Sequence, residues 1–281
     1  MQIRIIPPNY QVASFINQLW RFESDEGITN NDSRLIVPNG TAKLIVPLQN
    51  QVKLSNTHLN EILQENTIYL YGISDIATEI SSTQSMTRVI GVDLNPFGIA
   101  RIFPHPMKNY RNTLLTLTDV FEDKGQKLQG EFSAINNLGH CIYFLQNMLY
   151  QLIDRDDKKY YIFDYCIKLI NESSGTIGVQ ELVKKTGYTK RYLAMIFNEF
   201  VGLSPKTYAS VIRFNKLYEN WAKSNGENFY TDFLYEYYFD QPHFIKEFKK
   251  FTGYSPLKFS EIGNEYGKLF YNDFPFLQSY G

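Results

Sequence analysis

The sequence predicts an α+β protein whose N-terminal domain is rich in β-strands and whose C-terminal domain is entirely helical. Up to about residue 117, short runs of β-branched and aromatic residues alternate with turn residues, which is typical of a barrel or sandwich. From residue 160 onward, apolar residues recur at helical spacing and glycines or prolines separate the segments. The chain has 281 residues and therefore exceeds the commonest size of a single domain, so two domains are expected.

The predicted strands of the first domain are its most apolar runs, at residues 34–38, 42–48, 67–72 and 88–94. Asn39 and Gly40 separate the first two runs and tolerate a positive φ, so they predict a hairpin-type turn. After residue 118 the spacing changes: apolar side chains from Ile135 to Leu152 recur every three or four residues, which predicts an amphipathic helix. Helices therefore complete this domain.

A polar run at residues 154–159 is the best linker candidate. We therefore predict a β-rich sensor or dimerisation domain at residues 1–153, a linker at 154–159, a helical domain at 160–262 and an aromatic tail at 263–281. The tail is dense in Tyr and Phe, which favours packing on the helices or a dimer contact over a loosely ordered terminus.

Composition excludes several classes of protein. A hydrophobic content of 43% with 16% aromatic residues is typical of a folded chain rather than a disordered one. Two cysteines without CxxC spacing argue against a disulfide framework, and the sequence contains no long apolar run without charges. We therefore expect a cytoplasmic protein that neither spans nor binds a membrane. The net charge of −1 hides a mild asymmetry, because residues 176–262 carry 12 Lys and Arg against 9 Asp and Glu.

The helical domain contains an internal repeat with an offset of 51 residues. The first copy contains Leu193, Phe197, Phe200, Gly202, Ser204, Pro205 and Tyr208, which correspond to Phe244, Phe248, Phe251, Gly253, Ser255, Pro256 and Phe259. Each copy predicts a short helix, a tight turn and a second helix, followed by Gly-x-Ser-Pro at the start of a third. Two helix-turn-helix units are the consequence, with polar residues of each second helix facing outward.

The segment between the two units predicts one long helix. Residues 204–223 contain no glycine and no proline after Pro205. Such a helix spans about 30 Å, which is close to the separation of about 34 Å between successive major grooves on one face of DNA. A helical bundle that uses the duplicated unit only for packing is the alternative.

Residues 179–205 and 240–256 resemble the DNA-binding region of AraC/XylS-type transcription regulators. The second stretch carries the more specific signature. The N-terminal half, with Trp20-Arg-Phe, Pro38-Asn-Gly and Asn95-Pro-Phe-Gly, is similar to a poorly characterised sensor domain that precedes such regions. The resemblance implies a transcription factor whose first domain binds an effector or mediates dimerisation, and it implies RNA polymerase as a further partner.

By position, the resemblance assigns five residues of the first recognition helix to DNA: Lys190, Arg191, Ala194, Met195 and Asn198. Arg191 is the best candidate for reading a base, because a guanidinium pairs bidentately with guanine. Ala194 and Met195 offer only apolar contacts, such as to a thymine methyl. In the second recognition helix, Gln241 is the candidate for base contact, while phosphate contacts are assigned to Lys190, Lys206, Lys246 and Lys249. A solvated helix face is the alternative for each of these residues.

The second unit departs from the family pattern. No glycine occurs in the turn at residues 236–240, and bulky residues occupy 233–234. A tight turn often needs a positive φ, which aromatic residues disfavour. We therefore expect the second unit to pack differently and to read DNA less specifically.

Catalysis is not expected. The chain has four histidines without metal-ligand spacing, and it lacks GxSxG, phosphate-loop and GxGxxG motifs, so no metal, cofactor or catalytic residue is predicted. A ligand pocket in the first domain has five candidate residues: Trp20, Arg34, Lys43, Tyr69 and Arg88. Aromatic walls with a few cationic anchors suit an acidic ligand. An ordinary filled core is the better-supported interpretation of the aromatic residues.

Together these patterns predict a sequence-specific DNA-binding transcription regulator that is not an enzyme. Its expected partners are double-stranded DNA, an unidentified small-molecule effector and a second copy of the chain. The rival hypothesis is a protein-interaction or ligand-sequestering module whose DNA readout has degenerated, motivated by the unusual second turn and the weak positive charge.

Overall fold

The computed structural model of the protein describes residues 1–28, 34–82, 86–104, 106–223 and 233–263. Its strands within these ranges are β1 (Gln2–Ile6), β2 (Ile16–Ser24), β3 (Leu35–Ile36), β4 (Ala42–Gln49), β5 (Val52–Ser55), β6 (Asn60–Leu63), β7 (Tyr69–Tyr71), β8 (Thr78–Ser81), β9 (Thr87–Leu94) and β10 (Leu114–Thr116). Its helices are α1 (Pro96–Ile102), α2 (Leu117–Ser133), α3 (Leu138–Leu152), α4 (Asp157–Glu172), α5 (Val179–Thr186), α6 (Lys190–Phe200), α7 (Pro205–Lys223), α8 (Phe233–Tyr237), α9 (Gln241–Thr252) and α10 (Pro256–Ile262), with a 3-10 helix at Met107–Tyr110.

The N-terminal strands form two antiparallel sheets. Sheet I has the order β1-β2-β9-β4-β7-β10, and sheet II has the order β3-β8-β5-β6. The four predicted apolar runs contain β3, β4, β7 and β9. β4 and β9 lie inside sheet I and are buried on both faces, which explains why their sequences are continuously apolar rather than alternating.

Two hydrophobic cores result from this arrangement. The inner core lies between the sheets and joins Trp20, Phe22 and Ile45 of sheet I to Leu54 and Ile80 of sheet II. Gly91 on β9 is required there, because an added Cβ would lie 1.9 Å from the Trp20 ring. Trp20 therefore occupies the space that a side chain at residue 91 would fill.

The outer core begins on the opposite face of sheet I and continues through α1 and α3 into the C-terminal helices. Alternation along β4 explains it, since Leu44 and Val46 face this core whereas Ile45 faces the inner one. The predicted amphipathic helix is α3, and its buried side chains include Leu145 and Leu149. α2 precedes it and is kinked at Glu122, whose φ is 52°.

Polar contacts also join the N-terminal and C-terminal halves. Arg101 of α1 forms an ion pair with Asp164 of α4, with Nη1 3.1 Å from Oδ1. The Asn215 side chain of α7 donates to the carbonyl of Pro38 in the turn before β4 (3.2 Å). The long helix between the two helix-turn-helix units thus contacts the β-rich half directly.

The proposed linker is shorter in the structure than in the sequence prediction, and the proposed tail lies outside the described residues. α4 begins at Asp157, so it includes the last three residues of the proposed linker at 154–159. The proposed aromatic tail lies beyond residue 263 and therefore outside the described residues.

Candidate nucleic-acid interface

The first helix-turn-helix unit consists of α5 and α6. α5 ends at Gly187, which adopts a left-handed φ of 75° and whose N–H donates to the carbonyl of Val183. Thr189 then caps α6, because its side chain accepts a hydrogen bond from the backbone N–H of Tyr192 (3.2 Å). The turn is short because a glycine reverses the chain and a threonine starts the next helix at once.

α6 has one buried and one accessible face. Leu193, Ile196 and Phe197 are buried at the helical spacing expected for a core face. On the other face, Lys190 and Arg191 are exposed, and Met195 is 52% exposed. The candidate DNA-contacting residues at the start of α6 are therefore accessible.

The two remaining candidates of α6 are less exposed. Ala194 and Asn198 are half-buried, and the Asn198 amide donates to the carbonyl of Ala194 (2.8 Å). Asn198 has therefore already used one donor within its own helix, which leaves Arg191 with the larger free hydrogen-bonding capacity.

The second unit repeats the caps of the first but replaces the glycine. Asp240 caps α9 by accepting from the His243 N–H (2.8 Å), and it lies 51 residues after Thr189. Tyr238 stands where the first unit has Gly187, and it does not adopt a positive φ. Its ring is 2% exposed and packs against Phe244, with centroids 5.4 Å apart. The second turn is thus filled by a buried aromatic side chain, which is the structural form of the departure seen in the sequence.

α9 presents the same division of faces. Phe244, Phe248 and Phe251 are fully buried, whereas Gln241, Lys246 and Lys249 are exposed. Leu193, Phe197, Phe244 and Phe248 are buried in the core, which agrees with the expectation that the polar residues of each second helix face outward. Lys206, at the start of α7, is exposed as well.

A buried ion pair that the sequence did not suggest holds α9 against α7. Arg213 Nη2 lies 2.7 Å from both carboxylate oxygens of Glu247, and the Ser210 hydroxyl donates to Oε1 (2.9 Å). The guanidinium also lies over the Tyr238 ring, 4.9 Å from its centroid. Burial lowers the pKa of Arg213, but the Glu247 carboxylate outweighs burial and leaves that pKa raised. Arg213 between Ile212 and Phe214 was the available signal, since a charge in an apolar helical run needs a partner.

Exposed aromatic residues precede both recognition helices. Tyr188 is 40% exposed and stacks on Tyr192, with centroids 4.8 Å apart. Phe239 is its counterpart 51 residues later and is 93% exposed. Both rings are exposed beside the start of a recognition helix, so they are accessible to a ligand of these helices.

An ion-pair group connects the second recognition helix to the β-rich half. Arg111 Nη2 lies 2.6 Å from Asp75 Oδ2, and Lys250 of α9 lies 3.6 Å from the same oxygen. Burial raises the pKa of Asp75, but hydrogen bonds from Arg111 and Asn112 and the nearby charges outweigh it and lower that pKa. Lys250 therefore faces the β-rich half.

The structure does not bring the five candidate ligand residues of the first domain into one site. Trp20 and Lys43 both contact the buried Asp93, with Nε1 to Oδ1 at 3.0 Å and Nζ to Oδ2 at 2.5 Å. Arg34 is buried elsewhere beside Met1. Tyr69 is half-buried at the edge of the inner core. Trp20 and Tyr69 therefore belong to the core between the sheets, whereas Arg88 lines an open cleft.

The described part of the chain contains no group of three or more potential metal ligands. Both cysteines are free and buried, and burial raises the pKa of Cys166 to about 11. A thiol with such a pKa is not a nucleophile at neutral pH. Among the helices of the described residues, none is long and apolar enough to cross a membrane.

Two protein families match separate parts of the chain. Residues 182–262 match a family described as a helix-turn-helix domain, and residues 4–116 match a domain of unknown function, DUF6597. No curated protein sequence matches the chain.

Solved structures of ToxT from Vibrio cholerae are similar to the chain at low identity. An apo variant from strain SCE256 is 13% identical, with 87% of this chain and 97% of that chain covered and a TM-score of 0.48. ToxT from strain O395 is 12% identical, with 86% and 97% covered and a TM-score of 0.48. Wild-type ToxT with a bound unsaturated fatty acid is 12% identical, with 86% and 95% covered and a TM-score of 0.47.

Proposed function

We propose that this protein is a DNA-binding transcription regulator of the AraC type, and that its helix-turn-helix domain at residues 182–262 reads two half-sites in successive major grooves. In this proposal α6 contacts bases through Arg191 and α9 through Gln241, while lysines of both units contact phosphates. The β-rich half modulates binding, by holding an effector or by dimerisation. In this proposal the surfaces of both units bind DNA and catalyse no reaction.

The observation that carries the proposal is the shared division of α6 and α9 into a buried and an accessible face. In both helices the first turn is capped and carries exposed polar residues, Lys190 and Arg191 in α6 and Gln241 in α9. Capped helix N-termini with exposed polar side chains favour phosphate and base contacts. A helix with all-round burial would exclude this function.

The connecting helix supports the use of both units on one duplex. α7 has 19 residues and therefore a length of about 28 Å at 1.5 Å per residue. Phe214 at its centre packs on Phe248 and Phe251 of the second unit, with centroids 5.7 and 5.1 Å apart. Both recognition helices thus pack against one helix, whose length of about 28 Å is comparable to the groove repeat of about 34 Å.

Contacts between the halves support modulation by the β-rich half. Its turn at Pro38 contacts α7, and its Asp75 carboxylate lies beside Lys250 of α9. A change in the β-rich half that moves either group also moves the second unit relative to the first.

Selection of bound duplexes from a random library tests the proposal, with wild type, Arg191→Glu and Lys168→Glu compared at two salt concentrations. Lys168 is exposed on α4, outside both units, so its variant carries the same change of charge. We expect wild type and Lys168→Glu to enrich the same motif with two half-sites about 10 base pairs apart, and Arg191→Glu to lose it while remaining folded. Enrichment that is equal in all three proteins, or no motif in any of them, would contradict the proposal.

A Gln241→Ala variant in the same experiment separates the two units. If α9 reads bases, this variant loses preference only at the second half-site. Unchanged preference there would mean that α9 contacts the backbone alone, as the sequence departure suggests.

A further inference from the structure

An open cleft lies on the outer face of sheet I, away from the helix-turn-helix units. One wall consists of residues from β2, β4 and β9, and the other consists of the loop between α2 and α3 with the first turns of α3. Its volume is about 500 Å³, which is within the range of sites for small organic ligands. The inner core, by contrast, is occupied by buried side chains such as Trp20 and Phe22.

Two guanidinium groups of the cleft share one carboxylate. Arg21 Nη2 lies 2.9 Å from Glu23 Oε2, and Arg88 Nε lies 3.4 Å from Glu23 Oε1. The group therefore carries one net positive charge. The Arg88 side chain is 50% exposed and its Nε is the atom paired with Glu23, so the exposed part of its guanidinium can meet a second carboxylate in the cleft.

Amide side chains surround this charge. Gln49, Asn66, Asn136 and Asn137 line the cleft together with the arginine pair. Asn137 accepts from the His140 N–H through Oδ1 (3.2 Å), which leaves its NH₂ group for other contacts. Carboxamides both donate and accept, which matches the hydroxyl groups of a polar ligand better than an alkyl chain. The apolar residues of the cleft are fewer than its polar ones: Leu48, Ile135, Leu138 and Cys141.

We propose that this cleft binds a small hydroxylated monocarboxylic acid, with the carboxylate on Arg88 and Arg21 and the hydroxyl groups on the amide side chains. A single net positive charge matches one carboxylate, whereas a phosphate monoester would bring close to two negative charges. The inference deepens the proposed function, on which it rests for its regulatory meaning, by assigning a site and a chemical class to the effector.

The position of the cleft links it to the first recognition helix. α3, which forms part of the cleft, packs against α1, and α1 packs against α6. These contacts belong to the outer core, which is continuous from sheet I to the C-terminal helices. A ligand that orders the start of α3 is therefore connected to α6 through two packed helices.

Isothermal titration of the full-length protein with D-glucuronate tests the proposal, with D-glucose as the uncharged counterpart and benzoate as an acid without hydroxyl groups. We expect glucuronate to bind the wild-type protein. Glucose and benzoate are expected to bind it at least tenfold more weakly. Arg88→Gln is expected to weaken the binding of glucuronate at least tenfold. Arg4→Gln is the matched control, since Arg4 is exposed on β1 and does not line the cleft, and it is expected to leave the affinity unchanged.

A second variant keeps the test independent of the arginine pair. Asn136 is exposed, so Asn136→Asp adds a negative charge to the cleft without disturbing the core. We expect this variant to weaken the binding of glucuronate as well and to leave the melting temperature of the protein unchanged. The proposal is overturned if glucuronate, galacturonate and gluconate all fail to bind wild type, if benzoate binds as tightly as glucuronate, or if Arg88→Gln and Asn136→Asp bind like Arg4→Gln.

Failure here is distinguishable from failure of the proposed function. The titration uses no DNA, and the duplex selection without added acid reports on DNA binding alone. If wild type selects a motif but binds none of the acids, only the cleft assignment fails. If it binds glucuronate through Arg88 but selects no motif, the regulator proposal fails and the cleft assignment remains.

Discussion

Removal of the Glu247 carboxylate is expected to loosen the second helix-turn-helix unit. Glu247 and Arg213 have side chains that are only 14% and 15% exposed, and Arg213 Nη2 contacts both carboxylate oxygens at 2.7 Å. Breaking a buried ion pair by deleting one partner costs about 3–5 kcal/mol, because the remaining charge stays buried without compensation. The residual exposure lets water screen part of this loss. We therefore expect Glu247→Ala to destabilise the packing of α9 on α7 by about 3 kcal/mol.

Hydrogen–deuterium exchange of α9 amides measures this local stability directly. A loss of about 3 kcal/mol accelerates exchange by about two orders of magnitude when the second unit opens on its own. Glu261→Ala is the matched control, because Glu261 is 58% exposed and pairs with Lys258 at 3.2 Å on the surface of α10. Its removal is expected to cost less than about 0.5 kcal/mol.

The double variant tests the reasoning behind that magnitude. In Arg213→Met with Glu247→Ala, no charge remains buried, so part of the protection of α9 is expected to return. The argument is refuted if Glu247→Ala exchanges within threefold of Glu261→Ala, or if the double variant is no more protected than Glu247→Ala alone.

Three further predictions concern other parts of the molecule. Gly91→Ala is expected to lower the stability of the β-rich half by at least about 3 kcal/mol in urea unfolding, because its Cβ would lie 1.9 Å from the Trp20 ring. Gly130→Ala is the control, since its Cβ would lie in open space on α2. This variant is expected to stabilise the protein by about 0.5–1 kcal/mol. Phe239→Ser is expected to leave the melting temperature unchanged, since the ring is 93% exposed, and to weaken DNA binding severalfold in a gel-shift titration. The lowered pKa of Asp75 means that its carboxylate stabilises the fold above the unfolded pKa of about 3.9. The stability advantage of wild type over Asp75→Asn is therefore expected to be complete near pH 6 and to disappear as the pH falls through the folded pKa.

Each of these predictions has an outcome that contradicts it. Equal effects of the two glycine substitutions would mean that the Trp20 ring moves aside without cost. Unchanged DNA affinity for Phe239→Ser would show that the exposed ring faces solvent in the complex. An advantage over Asp75→Asn that stays constant as the pH falls from 6 to well below the unfolded pKa of about 3.9 would show that the carboxylate acts through packing and not through its charge.

Local patterns in the sequence were sufficient for the helix-turn-helix units. The offset of 51 residues aligned Thr189 with Asp240, and both residues cap a recognition helix in the structure. Caps, turns and amphipathic faces depend on neighbours within a few residues, so a single sequence contains the information that specifies them. The helix-turn-helix match at residues 182–262 agrees with this interpretation.

The candidate ligand site was not predictable in the same way. In the sequence, Trp20, Lys43 and Arg88 were equivalent candidates, as aromatic or cationic residues of the predicted β-rich domain. The register of sheet I separates them: Trp20 and Lys43 point between the sheets and meet Asp93, whereas Arg88 pairs with Glu23 on the outer face. A shift of one residue along a strand moves a side chain to the opposite face, and local composition does not specify that register.

By itself, the sequence determined the two-part architecture, the repeated helix-turn-helix units and the face of each recognition helix that enters the core. The tertiary structure alone decided which charges meet, namely Arg213 with Glu247, Lys250 with Asp75 and Arg88 with Glu23. Two of these three pairs join residues of different helices or of different halves of the chain. Periodicity records how a segment folds against its nearest neighbours, but the partner of a buried charge depends on how separate segments pack in three dimensions.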